Sequence, residues 1–475
     1  MDQHLEGDLA SFSAYIDALA GAVGHLDRIR PMRDYCTGLL MPGERKSVEP
    51  MAALVAPGRV SAQHQSMLHL VGQAPWSDEA VLAKVRELVV PAIERSGPVE
   101  AWIVDDTGFA KKGIHSVGVA RQYCGRLGKT DNCQIAVTLS VSNHFASLPI
   151  AYRLYLPEIW ANDAVRRAKA HVPQEVAFKT KPQIALEQIA AAKAAGVAGT
   201  LVLADAGYGY DGEFRAGLTV MGFTYAVGVQ STLSIWPPGT EPLPPKPWRG
   251  RGRKSSRIQR DADHAPISAK DLALSLTAEA WREVAWREGS NDLLTSRFAA
   301  VRVRPASRDW KRHEPHPLEW LLIEKPEGEE EPTKYFLSTL PEDVAIEVLV
   351  DTAKMRWRIE RDYEELKSEL GLADFEGRSW RGFHHHATLC IAAYGFLIRR
   401  RADFPPSATG KVKKSCLSLY RRPIKPAGQA RTARPKLHRD RKENPHRRPG
   451  QNPDPMPVLP DHAGKTAKSE HFVTQ

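Results

Sequence analysis

Three acidic positions, carried by three kinds of segment, have the residue types for metal-assisted phosphodiester chemistry. The pair Asp105-Asp106 ends the apolar run Ala101-Trp102-Ile103-Val104, and Asp205 ends another, Leu201-Val202-Leu203-Ala204. Glu360 lies inside a charged, helix-like stretch from Arg356 to Lys367. Carboxylate oxygens suit hard divalent cations, and two such cations clamp the attacking and leaving oxygens of a phosphodiester. Two carboxylates at strand ends and one on a helix can converge on such a pair. The trio therefore points to an enzyme that cuts and rejoins DNA strands.

The helix carries a test in its own geometry. At ~100° per residue, Arg356, Glu360 and Lys367 fall at about 0°, 40° and 20° around the axis, with Tyr363 near −20°. One face then shows an acid flanked by two bases, an arrangement suited to holding a phosphate backbone beside metals. A solvated helix laced by i,i+4 charge pairs is the bland alternative. The two strand-end acids favour the first reading, because open α/β sheets place ligand groups at strand ends. The doublet offers two candidates for the first acid. Adjacent strand residues face opposite sides, so one of the two points at the metals.

The elements that must position these residues alternate from residue 99 onward. After the first acidic strand comes a Gly/Lys-rich turn over 108–113 with Lys111 and Lys112, placed to contact DNA or to sit solvated. Strand-like runs at 134–141 and 148–155, an Ala-rich helix at about 183–195 and the Asp205 strand follow. That order resembles an RNase H-like α/β domain, with helices packed on a mixed sheet. Short strand signals at 298–303, 320–323 and 335–338 mark a mostly β insertion over 225–345. Within it, residues 246–260 hold seven Lys and Arg; Trp248, Arg251 and Arg253 suit a loop that touches phosphates and stacks on a base, or an exposed disordered loop.

Residues 1–95 read as helical, with apolar spacing at Leu9, Phe12, Tyr15, Ile16 and Leu19 and again at Val81, Leu82, Val85, Leu88 and Val89. Between them a basic segment, 28–36, is broken by Pro31. This part is a DNA-binding or dimerisation domain, or a helical cap. The predicted division is 1–95, 96–224, the insertion 225–345, a helical catalytic part 346–398 with Glu360, and a disordered basic tail 399–475.

Charge locates the basicity. The chain of 475 residues carries a net +10, but residues 399–450 alone hold 17 Lys and Arg against 3 acids. The remainder is slightly acidic, so the tail is a solvated appendage or a non-specific phosphate tether. Five cysteines with no CxxC spacing read as reduced packing thiols. The acidic N-terminus and the lack of a long apolar run predict no signal peptide and no membrane span, hence a cytoplasmic protein.

Arg356, Glu360 and Lys367, at spacings of four and seven, resemble the Tyr-Arg-Glu-Lys signature of DDE transposases from bacterial insertion sequences. Val104-Asp105-Asp106-Thr107-Gly108 and Ala204-Asp205-Ala206-Gly207-Tyr208-Gly209 resemble their two Asp motifs. Arg121-Gln122-Tyr123-Cys124-Gly125 and Lys334-Tyr335-Phe336-Leu337-Ser338 resemble the insertion sequence 701 family within that group. The resemblance spans about residues 30–395. It implies Asp106, Asp205 and Glu360 as catalytic metal ligands, with Asp106 chosen because the first acid of such enzymes directly precedes a Thr or Ser, here Thr107. It implies Arg356 and Lys367 as phosphate-binding bases, two Mg²⁺ ions for which Mn²⁺ substitutes, double-stranded DNA as partner and a homodimer in the DNA complex. The expected activity is cleavage at the element's ends and transfer of the 3′ ends to target DNA. Hydrolysis without joining, and a catalytically silent DNA-binding regulator, are the alternatives. One departure stands out: the signature's Tyr falls at 353, which is Ala353. Two weaker motifs add nothing to this. Gly125–Thr130 lacks the Gly at 123 that a phosphate loop requires. His384-His385-His386 point different ways on a helix, which suits a structural or DNA-facing role better than one shared metal ion.

Overall fold

In the computed structural model, residues 2–248, 250, 256–288 and 293–403 are described. Arg251, Arg253 and the tail beyond 403 lie outside them. The first 94 residues form α1 (Asp2–Ala20), α2 (Ile29–Leu40), α3 (Val48–Val55), α4 (Val60–Gly72) and α5 (Asp78–Glu94). The apolar stripes close as helical spacing demands: Phe12, Tyr15, Ile16 and Leu19 are buried, as are Val81, Leu82, Val85 and Val89, while Leu9 faces outward. Ser77 starts α5 by accepting a hydrogen bond from the Ala80 N–H at 3.1 Å, and Asp78 and Glu79 follow in the first turn. Pro31 does not break its segment. It sits in the first turn of α2, where N–H groups lack intrahelical acceptors and a missing donor costs nothing.

The central sheet begins with β1 (Ala101–Ala110), β2 (Ala120–Cys124), β3 (Lys129–Ser142) and β4 (Ser147–Leu154). After the short helices α6 (Glu158–Ala161) and α7 (Ala164–Lys169) come α8 (Lys181–Ala194), β5 (Leu201–Ala204), α9 (Ala206–Gly209), α10 (Gly212–Val220) and β6 (Thr224–Val229). Strands β7 (Ser234–Trp236) and β8 (Ile267–Ser268) precede α11 (Ala269–Ser275). Then follow β9 (Arg282–Glu288), β10 (Leu293–Pro305), β11 (Glu319–Pro326) and β12 (Lys334–Ser338). The described chain ends with α12 (Ile346–Lys354), α13 (Arg358–Ser368) and α14 (Trp380–Asp403).

The strands join in the order β2-β3-β1-β5-β6-β12-β11-β10-β7-β8, with β4 also on β3 and β9 on β10. Only β1–β5 and β5–β6 pair parallel; the other pairs are antiparallel. The result is a mixed α/β fold built on one continuous mixed sheet. The expected insertion boundary at 224/225 cuts into β6, which pairs with β5 through Leu201↔Thr224. Strands β7 to β12 prolong the same sheet, because the edge of β6 accepts β12 antiparallel. The expected tail start at 399 also shifts, since α14 runs on to Asp403.

Helix α14 is buried continuously from Gly382 to Ile398 and packs against α5, α2, α4 and β4. Its three consecutive histidines radiate into different neighbours, and all three are structural. His384 Nε2 accepts the Leu154 N–H (3.2 Å), and His385 stacks on Trp76 with ring centroids 3.7 Å apart. His386 Nδ1 takes the Tyr35 hydroxyl (2.8 Å) while Nε2 faces the Gly371 carbonyl (3.0 Å). Among the described residues, no helix is long and apolar enough to cross a membrane.

Burial holds His386 down at about 4, below its ordinary 6.5. The unfolded chain therefore takes up a proton that the folded one refuses. Stability from this residue is present above pH 6.5 and is lost as pH falls through the window to about 4. Urea denaturation across that window should show a shallower fall in stability for His386→Gln than for wild type, the difference approaching ~1.4 kcal/mol per pH unit. Parallel falls would remove the histidine from the acid response.

Candidate active site

Parallel register brings the strand acids together. Strand β1 pairs with β5 from Trp102↔Val202 to Val104↔Ala204, and there β5 stops. The doublet is thus at the end of this pairing rather than at the end of its own strand, because β1 continues along β3 to Ala110. Asp205 follows β5 directly and caps α9, its Oδ1 accepting the N–H groups of Gly207 (2.9 Å) and Tyr208 (3.3 Å). Helix α9 is pressed onto β6: a Cβ on Gly209 would lie 2.1 Å from the Gly228 carbonyl oxygen, so only glycine permits the approach.

The two members of the doublet have different partners. Asp105 is the more buried, and both its oxygens are used. Oδ1 accepts the Asp106 N–H at 2.8 Å, and Oδ2 accepts Arg356 Nη1 at 3.0 Å. Burial pushes its carboxyl up to about 7, against the pull of the Arg356 guanidinium, with Asp205 and Asp106 adding to the rise. Asp106 instead forms an ion pair with Lys181.

Arg356 is the hinge of the helical side. It lies in a 3-10 turn, Met355–Trp357, just before α13, so the predicted uninterrupted helical face is broken there. Its second nitrogen, Nη2, still reaches Glu360 Oε1 at 3.2 Å, and one guanidinium joins a strand acid to the helix acid. Glu360 remains 66% exposed. Lys367 reaches the same strand, donating to the Gly108 carbonyl at 3.2 Å. Tyr363 is buried with its hydroxyl beside Thr138. Upstream, Lys354 at the end of α12 makes a buried double contact with Glu324 of β11, 2.5 Å to each carboxylate oxygen. That pair ties the helix leading into Arg356 to the extended part of the sheet.

A cleft of about 940 Å³ opens here, lined by Asp105, Asp106, Asp205, Arg356, Glu360 and Lys367, among others. Several expected contact residues are absent from that lining. Lys111 turns inward and donates to the Phe375 carbonyl at 2.7 Å, so it is engaged by the protein rather than presented to DNA. Lys112 and Trp248 are exposed away from the cleft wall. Ala353 is packed among Val284, Phe298 and Leu322, so no side chain at 353 meets the cleft. Lys181 was not singled out from the sequence, although Thr180-Lys181-Pro182-Gln183 carries a legible helix start. Thr180 and Gln183 form a capping box, and that cap presents Lys181 to Asp106.

The donors at the cleft are carboxylate oxygens, with no sulfur or imidazole, the set that hard divalent cations take. Two protein cations, Arg356 and Lys181, stand on those carboxylates. Among the described residues, no three acidic, His or Cys side chains yet converge on one ion-sized position, and Glu360 is the outlying member. The donor chemistry fits a divalent cation, and Glu360 is the most exposed of the three acids.

The chain matches a family model described as DDE superfamily endonuclease over residues 18–293. That stretch contains the doublet and Asp205; Glu360 lies beyond it. A curated relative, the probable transposase for insertion sequence element IS701 of Microchaete diplosiphon, is 30% identical over 197 residues, 41% of this chain and 47% of the relative. The match thus spans about half the length of that relative.

Removing Arg356 would strand the buried Asp105 charge. Arg356→Ala should destabilise the protein by ~1–3 kcal/mol at pH 8 in urea denaturation, with Asp105→Asn in the same chain restoring most of the loss. At pH 5, where Asp105 is protonated, the single variant should lose much less. A loss independent of both pH and Asp105 would mean that Arg356 acts through packing alone.

Proposed function

As this chain belongs to the DDE superfamily of endonucleases, we propose that it is a DNA transposase. It cleaves at the ends of its insertion sequence and transfers the 3′ ends to target DNA. The observation that carries the reading is one cleft lined by acids from β1, the end of β5 and α13, in which Arg356 joins Asp105 of β1 to Glu360 of α13. The strand order β4-β3-β1-β5-β6, with β1, β5 and β6 parallel, supports an RNase H-like catalytic core. Double-stranded DNA is the substrate, and two protomers act together on it.

Asp106, Asp205 and Glu360 hold the divalent ions, Mg²⁺ or Mn²⁺. Asp106 is preferred over Asp105 on chemical grounds. Asp105 spends both oxygens on the Asp106 N–H and on Arg356, whereas Asp106 is engaged by a single ammonium from Lys181. When bound, a pair of such ions activates the attacking water or 3′ hydroxyl and stabilises the leaving oxygen. The chain's own residues do the rest. Arg356 passes from Glu360 to the incoming phosphate while Asp105 keeps its other nitrogen in place, and Lys367 holds the backbone beside it. Asp205 stays oriented by the two α9 N–H groups it caps.

Oligonucleotides carrying the DNA that flanks the gene, with Mg²⁺ and a target plasmid, test the proposal. Wild type should yield joined products. Asp106→Ala, Asp205→Ala and Glu360→Ala should each lose strand cleavage by at least ~10³-fold, the scale expected when positioned charge stabilisation is removed, while end binding stays largely intact. Asp105→Asn should retain more activity than Asp106→Asn. Full cleavage by Glu360→Ala would sink the assignment, and cleavage without joined products would reduce the protein to a nuclease.

A further inference from the structure

Tyr208 lies three residues past Asp205, and the two ends of its side chain sit in opposite surroundings. The ring is packed near Phe214, centroids 5.8 Å apart, and the residue is 2% exposed. The residue lines the cleft, and its buried hydroxyl has no hydrogen-bond partner. Asp105, Asp106 and Asp205 line the same cleft. None of them accepts from that hydroxyl. Asp105 has both oxygens taken, Asp205 Oδ1 is taken by α9, and Asp106 is held by Lys181.

A buried hydroxyl without an acceptor costs ~1–3 kcal/mol, and a phenylalanine of the same shape would avoid that cost. The position is also rigid. Gly209 beside it is pressed onto β6, the side chain is buried, and its backbone N–H is held by Asp205. A fixed, unsatisfied donor in a carboxylate-lined cleft is complete only when an oxygen acceptor enters. Of the groups a DNA strand brings, the phosphodiester oxygen is the acceptor that carries charge.

We propose that the Tyr208 hydroxyl is a catalytic donor that hydrogen-bonds a non-bridging oxygen of the scissile phosphate. This rests on the reading of the cleft as a DNA-cutting site. It adds a fixed, uncharged donor on the strand side, opposite the charged Arg356 on the helix side. Because the donor is preorganised, it acts where charge builds on the phosphate rather than on DNA affinity as a whole.

The test is Tyr208→Phe, which keeps the ring and removes one oxygen. The free variant should melt at the same temperature as wild type or higher, since no bond is lost on removing an unpartnered hydroxyl. End-DNA affinity without metal should stay within about threefold, while single-turnover cleavage should slow by about 100-fold. Inorganic phosphate, titrated with Mg²⁺ present and followed by thermal shift, should bind the variant about tenfold more weakly. Cleavage at the wild-type rate, or unchanged phosphate binding, would overturn the role of Tyr208. A wild type that binds phosphate through Tyr208 but cuts no DNA would overturn the enzymatic reading and leave the donor assignment standing. A marked drop in the melting temperature of the free variant would make the hydroxyl structural and overturn the proposal.

Discussion

The site depends on where a parallel strand pair ends. Strands β1 and β5 share only three register positions, and the last, Val104↔Ala204, places Asp105 and Asp205 side by side one residue later. β5 stops there and turns into α9, while β1 runs on beside β3. The edge that β5 leaves behind is where α13 brings its acid. Shifting that register by one residue would send the side chains of β1 to the opposite face and separate the doublet from its partners.

Electrostatics then decides how the acids coexist without metal. Burial pushes the Asp105 carboxyl up to about 7, and repulsion from Asp205 and Asp106 adds to the rise. Arg356 and Lys181 offset the repulsion from opposite sides, one shared with Glu360 and one on Asp106 alone. These acids are thus held together by the chain's own cations.

Much of this was legible in the sequence because periodicity is strong where burial is two-sided. The runs at 134–141, 298–303, 320–323 and 335–338 each fall within an observed strand, the run 148–155 overruns β4 by one residue, and the Ala-rich helix expected at about 183–195 spans Lys181–Ala194. The acids were legible as a set, because a lone Asp after an apolar run often simply caps the next turn, as Asp205 does for α9, whereas two such sites and a helix Glu in that order seldom coincide. What was missed came from tertiary context. β2 is short and polar, and is a strand only because β3 outruns β4. β6 was assigned to the insertion because a one-dimensional reading cannot see that it lies parallel to β5. Lys111 carries the right charge, but the Phe375 carbonyl captures it. Tyr208 stands in the second Asp motif without a role of its own, because an unsatisfied hydroxyl is a property of packing, not of spacing.

The central claim is that Asp106, Asp205 and Glu360 share divalent metal in one cleft. Anomalous diffraction from Mn²⁺-soaked crystals of the protein bound to end DNA tests it most directly. Manganese should lie between Asp106 and Asp205, with Glu360 turned inward and Arg356 released from it onto a phosphate. Manganese absent from the cleft, or bound there with Glu360 still paired to Arg356, would contradict it.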